Sequence, residues 1–162
     1  MVEQIFAIFT EDFNGDGEIN VQLRQYVSAA NSTDADAAYY GYGSEVSLLG
    51  DINDCDSYIF LMDDPEKFQR DFHVLAKPDG SCPEELDFSV EDKVFLWKNC
   101  PVLSSFDLGT STSTIFGQSI TTDMQKILGE LYIGRRCFYT ETTCAHLTSC
   151  SELFERIREG IK

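Results

Sequence analysis

The sequence predicts an α/β fold in three layers: a largely parallel sheet of about four to five strands with helices on both faces. Three observations point there. Apolar runs with strand character alternate along the chain with segments of helical spacing. One of those runs, 57-SYIFLM-62, is short, apolar and bounded by acidic residues, which suits a central strand buried on both faces. The third is size, since 162 residues at 43% apolar composition hold one real core, and a single domain over residues 1–162 is expected.

Each element has its own signal. Residues 2-VEQIFAIFT-10 carry Val2, Ile5, Phe6, Ile8 and Phe9 at mostly helical spacing, and the Asp/Asn/Gly cluster behind them stops the helix. A strand is expected over 18-EINVQLRQYV-27, with Ile19, Val21, Leu23 and Gln25 on one side. After a polar, tyrosine-bearing loop, 44-SEVSLLGDINDC-55 reads as a short helix with Val46, Leu48, Leu49 and Ile52 inward. The next helix, 63-DDPEKFQRDFHVLA-76, has an aspartate cap, Pro65 in its first turn, Glu66 close behind, and Phe68, Phe72 and Leu75 at helical spacing.

A Pro/Gly/acidic loop, 77-KPDGSCPEELDFS-89, leads to a strand at 93-KVFLW-97. The Ser/Thr-rich 109-GTSTSTIFGQSITT-122 reads as a mobile surface loop. Beyond it, 121-TTDMQKILGEL-131 is expected to be helical and 132-YIGRRCFYT-140 extended. The chain closes with an amphipathic helix, 150-CSELFERIREGI-161, that turns Leu153, Phe154, Ile157 and Ile161 inward. A three-layer α/β unit ordinarily opens with a strand; this chain opens with a helix, as though a first strand were missing.

Charge removes some partners. With 28 acidic against 12 basic residues, a net charge of -16 and a pI near 4.2, the surface repels phosphate backbones and anionic membranes. Six cysteines, Cys55, Cys82, Cys100, Cys137, Cys144 and Cys150, form no C-x-x-C spacing, which argues against a zinc ribbon and a thioredoxin-type pair. An even count in an acidic, lysine-poor chain fits an oxidising compartment, with pairing open and buried free thiols the alternative. The longest apolar run, 58-YIFLM-62, is far short of the ~20 residues a spanning helix needs.

The motif 12-DFNGDGEIN-20 resembles the first half of a calcium loop. Asp12, Asn14 and Asp16 place oxygens at alternate positions, Gly17 supplies the bend, and the Glu18 carbonyl is the natural next ligand. The closing bidentate glutamate of a full loop is replaced by Leu23, and the expected strand there excludes a helix–loop–helix hand. The competing reading is a turn in which Asp and Asn cap the backbone while Gly15 and Gly17 take positive φ. Calcium is the one cofactor the sequence suggests, and its role here would be structural.

Catalytic signatures are sparse. Of the two histidines, His73 falls on the 63–76 helix as a boundary residue, and His146, two residues after Cys144, is a weak candidate for a thiol–imidazole pair. There is no G-x-S-x-G elbow, P-loop or G-x-G-x-x-G. Ligand contacts are a better prospect. Tyr39, Tyr40 and Tyr42 in a Gly-bearing loop, with Trp97 at a strand end, offer aromatic faces with polar tips, although Trp97 is also a natural core residue. Arg135 and Arg136 can receive an anionic ligand or neutralise local carboxylates.

Four stretches, 12-DFNGDGEINVQLRQYV-27, 57-SYIFLMDDPEKFQ-69, 96-LWKNCPVLSSFDLG-109 and 128-LGELYIGRRCFYT-140, together resemble a group of uncharacterised membrane-anchored bacterial proteins. Their outer part looks like one lobe of an extracellular solute-binding protein. The resemblance implies an extracytoplasmic ectodomain, lacking its N-terminal anchor and first strand, that serves as a binding or envelope-associated module for an unknown small molecule or envelope protein. It carries over no catalytic residues. The alternatives are a calcium-stapled interaction module and a metal-dependent hydrolase using Asp12, Asn14 and Asp16.

Overall fold

In the computed structural model, which describes residues 2–12, 15–27, 35–115, 118–140 and 147–160, the short apolar runs do become strands, but antiparallel ones. β1 (Ile59–Met62) and β2 (Val94–Leu96) flank β5 (Tyr132–Arg135) in the order β1-β5-β2. Ile59 lies opposite Arg135 and Val94 opposite Gly134, both pairings antiparallel. A second sheet is the hairpin of β3 (Thr110–Ile115) and β4 (Gln118–Asp123), also antiparallel.

These two small sheets overturn the expected three-layer, largely parallel sheet and, with it, the likeness to a solute-binding-protein lobe. The reason is physical. β1 and β2 run in the same direction with a helix between them, which is the alternation read from the sequence. They never pair, because β5 lies between them and runs opposite to both. Apolar periodicity reports strand existence and is blind to direction. The 57–62 run is accordingly an edge strand with alternate residues covered, not a central one.

Side-chain alternation divides the core in two. Ile59, Leu61, Phe95 and Ile133 look toward a cluster of Ile5, Phe6, Phe9, Trp97, Leu103, Phe154 and Ile157. Phe60, Met62 and Val94 look toward Leu48, Ile52, Val74 and Leu75. The first cluster is closed by α1 (Val2–Ala7), a 3₁₀ turn at Trp97–Asn99, α4 (Pro101–Ser104), α5 (Met124–Gly129) and α6 (Leu147–Glu159); the second is closed by α2 (Ala35–Asn53) and α3 (Pro65–Phe72). Gly134 permits the close approach on the second face: a Cβ there would lie 2.9 Å from Leu75 Cδ2 and 3.1 Å from Met62 Cε.

Local chemistry sets the boundaries. Asp64 caps α3 by accepting the Lys67 amide at 2.9 Å, Pro65 opens the helix, and His73 closes it in the left-handed region at φ 51°. Residues 18–27 form no strand; Ile19 and Leu23 are half-exposed, and the segment is tied down by Leu23 N donating to Glu3 Oε1 and by the Tyr26 hydroxyl donating to Asp51. The expected helix at 44–55 is the second half of the longer α2. Among the described residues no helix is long and apolar enough to cross a membrane.

Candidate functional site

The acidic loop folds as a capped turn. Asp12 accepts the Gly15 amide on one carboxylate oxygen and the Gly17 amide on the other, both at 2.7 Å, and Asp16 accepts the Glu18 amide at 2.8 Å. Gly15 and Gly17 take φ of 72° and 86°, which is why glycine stands at both. Asn14 lies outside the described residues. Among the described residues no group of three or more His, Cys, Asp or Glu side chains converges to hold a metal.

The aromatic candidates do not meet. Tyr39, Tyr40 and Tyr42 stand on α2 rather than in a loop, exposed to 77%, 75% and 66%. Trp97 is completely buried in the other core, its ring 6.2 Å from Phe6 and nearly parallel to it. It cannot touch a ligand unless that core opens.

Arg135 and Arg136 are neighbours that face opposite ways, as strand alternation demands. Arg136 lies over the Phe138 ring and donates to the Ile52 carbonyl on the side of the second core. Arg135 is buried over the Phe154 ring, donating to Glu155 Oε1 at 2.6 Å and to the Pro78 carbonyl at 2.7 Å. Beside it opens a cavity of about 330 Å³, lined by Lys77, Lys93, Arg135 and Arg158 against one carboxylate, Asp92.

These four cations are not equivalent. Lys93 is buried and fully engaged, its ammonium 2.8–3.0 Å from Asp87 Oδ2, the Ser89 carbonyl and Ser89 Oγ. Ser89 and Lys93 together hold the Asp87 carboxyl down to about 2. Arg158 shares Glu155 with Arg135. Of the four, Lys77 makes no side-chain hydrogen bond among the described residues and acts on the Asp79 carboxylate through charge alone, so its ammonium has donors to offer a guest.

A second constellation went unseen in the sequence because the stretch from His73 to Asp87 lies some 50 residues before Cys137 and Tyr139. Cys82 lies near enough to Cys137, and both near enough to Tyr139, to bear on their titration, and both cysteines are free thiols. The Tyr139 hydroxyl lies 2.8 Å from His73 Nδ1 and donates to the His73 carbonyl at 2.9 Å, while His73 Nε2 lies 3.1 Å from the Asp87 carbonyl. Burial, then the neighbouring Cys82, pushes the Cys137 thiol up to about 12; burial, then the same two cysteines, pushes the Tyr139 phenol up as well. No cation is among the causes, so nothing there activates a thiolate. Cys144 and His146, the adjacent pair considered from the sequence, lie outside the described residues.

Comparison of the chain with protein-family models, with curated proteins and with solved structures finds no match.

Proposed function

We propose that this domain is an extracytoplasmic binding module that takes a small anionic solute, carboxylate- or phosphate-bearing, into the cavity beside Arg135. The observation that carries the reading is local charge inversion. On a chain of net charge -16, four of the 12 basic residues gather around one cavity with a single carboxylate in its lining. Its volume of about 330 Å³ sits at the lower end for small-molecule sites, and Phe95 and Phe154 give it apolar walls. In this reading Lys77 supplies the ion pair, the Arg135 N–H groups not spent on Glu155 and Pro78 supply orientation, and Glu155 keeps the guanidinium in place. The acidic surface and the even cysteine count support a location outside the cytoplasm.

The test is a thermal-shift titration against small mono- and dicarboxylates and inorganic phosphate. A true ligand at 100 times its Kd stabilises by about 2.7 kcal/mol, which for a chain of this size raises Tm by about 5–10 °C. The rise should vanish in Lys77→Glu, whose side chain supports no packing contact of the core. A flat response to all of them sinks the reading.

One further observation favours a protein partner. On α2, Tyr39, Tyr42, Val46 and Leu49 recur at helical spacing on the outward side and are all at least 48% exposed, while Leu48 and Ile52 face inward. Self-association is opposed by the net charge, so the partner fitting this stripe is a cationic amphipathic segment. Salt-sensitive binding of a Lys/Leu helical peptide, lost in Tyr42→Ser, is the expected result.

A further inference from the structure

We propose, on the reading of the Arg135 cavity as an anion site, that its guest is a monocarboxylate with a compact hydrocarbon or aromatic body, and neither phosphate nor a dicarboxylate. Charge and wall chemistry both select for it. Three of the four cations around the cavity already have carboxylate partners. Lys93 pairs with Asp87 Oδ2 at 3.0 Å and Asp92 Oδ1 at 3.4 Å, while Arg135 and Arg158 each hold one oxygen of Glu155 at 2.6 Å. These three cations face three carboxylates, so the set is balanced. The Lys77 ammonium remains, and it lies in the field of the Asp79 carboxylate, whose own hydrogen bonds come from the Ser81 amide at 2.9 Å and hydroxyl at 2.6 Å. The site therefore offers a guest one positive charge at most.

A second negative charge on the guest would be desolvated with no cation of its own, which is costly. A phosphate group carries about 1.5 to 2 charges at neutral pH. It also brings more acceptor oxygens than a carboxylate, yet Asn99 is the one side chain in the lining with a neutral amide or hydroxyl donor. Arg135 has little more to give. Its Nη1 is engaged with Glu155 and its Nη2 with the Pro78 carbonyl, and the turn closes over it so tightly that a Cβ at Gly80 would lie 3.4 Å from Nη2.

Much of the remaining lining is apolar. Val94, Phe95, Phe154, Pro78 and Pro101 border the space, with the Phe95 and Phe154 rings 5.8 Å apart. The Cys100 thiol in the same wall already donates to the Ile157 carbonyl at 3.2 Å. Arg135 lies 5.1 Å over the Phe154 ring, so the cationic side of the cavity adjoins its aromatic wall. An acid whose head meets Lys77 thus has its body against those rings. The cavity, at about 330 Å³, is larger than a bare carboxylate or phosphate fills, and a hydrocarbon body takes the apolar walls out of water.

The full chain, titrated calorimetrically at fixed ionic strength with acetate, butyrate, hexanoate and benzoate, should bind about fourfold more tightly per methylene buried. Benzoate should bind more tightly than acetate, and succinate and inorganic phosphate more weakly than butyrate. Hexanamide, which keeps the body and loses the charge, should bind about tenfold more weakly than hexanoate. Lys77→Gln should weaken all the carboxylates by one common factor of about tenfold and leave the step per methylene unchanged. Phosphate or succinate binding more tightly than hexanoate, or a series flat in chain length, overturns the inference while Lys77-dependent binding leaves the anion site standing. Affinities that rise with chain length but ignore Lys77→Gln put the alkyl body elsewhere on the surface and overturn it too. Absence of binding by every anion removes the anion site itself, and the inference with it.

Discussion

β5 and the β3–β4 hairpin are both antiparallel, yet Ile133, Gly134 and Arg135 are buried while the described side chains of β3 and nearly all of β4 stand in water. Backbone pairing is common to the two, so the difference lies in what the side chains reach. β5 exists because apolar groups from both cores close on it. The hairpin has instead the β-propensity of Thr and Ile, six paired positions on each strand, and cross-strand contacts such as Thr112 Oγ1 to Thr121 Oγ1 at 3.1 Å. An isolated two-stranded ribbon is marginally stable at best, whereas a strand between two cores inherits the stability of the whole domain.

The sharpest test of that contrast is deletion of core volume. Trp97→Ala should cost about 3–5 kcal/mol in urea unfolding, because the ring is completely buried and packs on Phe6. Trp97→Phe should cost far less, since it keeps an aromatic ring against Phe6 and removes an indole Nε1–H that is buried without a partner. Ile120→Ala, on the half-exposed outer strand, should stay within about 0.5 kcal/mol. A cost above about 2 kcal/mol at Ile120 would break the comparison.

Gly134→Ala comes next. Its new methyl would sit 2.9 Å from Leu75 Cδ2, 3.1 Å from Met62 Cε and 3.2 Å from Val94 Cγ1, so several packed side chains must move together, at about 1–3 kcal/mol. Gly109, just before the hairpin, has open space around it and a φ of 63°, so any cost of substitution there is backbone strain alone. Equal midpoint shifts for the two alanine variants with no change in the side-chain packing around β5 would contradict the packing account.

Much of this was legible in the sequence, and the failures share a cause. The cap and proline at Asp64 and Pro65 placed α3, and Leu153, Phe154 and Ile157 placed α6, because those signals are local. The hairpin was invisible to apolar periodicity, since 110-TSTSTI-115 has almost no apolar residue to alternate. Residues 18–27 failed the other way: Ile19, Val21 and Leu23 alternate, yet the segment pairs with none of the described strands. In α2, Tyr39 and Tyr42 beside Gly41 and Gly43 suggested a loop, and apolar residues on both helix faces hid its period. Cys82 comes near Cys137 only through tertiary folding, which a spacing rule cannot express.

Acid should separate the regions as well. Ser89 and Lys93 hold Asp87 near 2 against an ordinary 3.8, so its contribution is fully present above about pH 4 and is lost as pH falls from there through 2. The Lys93 ammonium it faces is buried beside β2. Asp87→Asn should therefore flatten the fall of Tm between pH 4 and 2. Urea midpoints that lose the same amount in both proteins across that window would show that other carboxylates set the acid limit.

The smallest effect is the most informative about the hairpin. A Thr112→Ala, Thr121→Ala double-mutant cycle should return a coupling of about 0.2–1 kcal/mol, the usual value of a cross-strand pair in water. Global unfolding will barely register it, because the hairpin opens without the core. Amide exchange will. The paired amides of residues 110–115 and 118–123 should open at much lower free energy than those of 132–135, and the two alanines should lower the first set while leaving the second unchanged. If both sets shift together, the hairpin is part of the same cooperative unit as β5. Its ladder would then be held through its junction with α5, where Met124 N donates to the Gly109 carbonyl at 3.1 Å, rather than by its own cross-strand pairs.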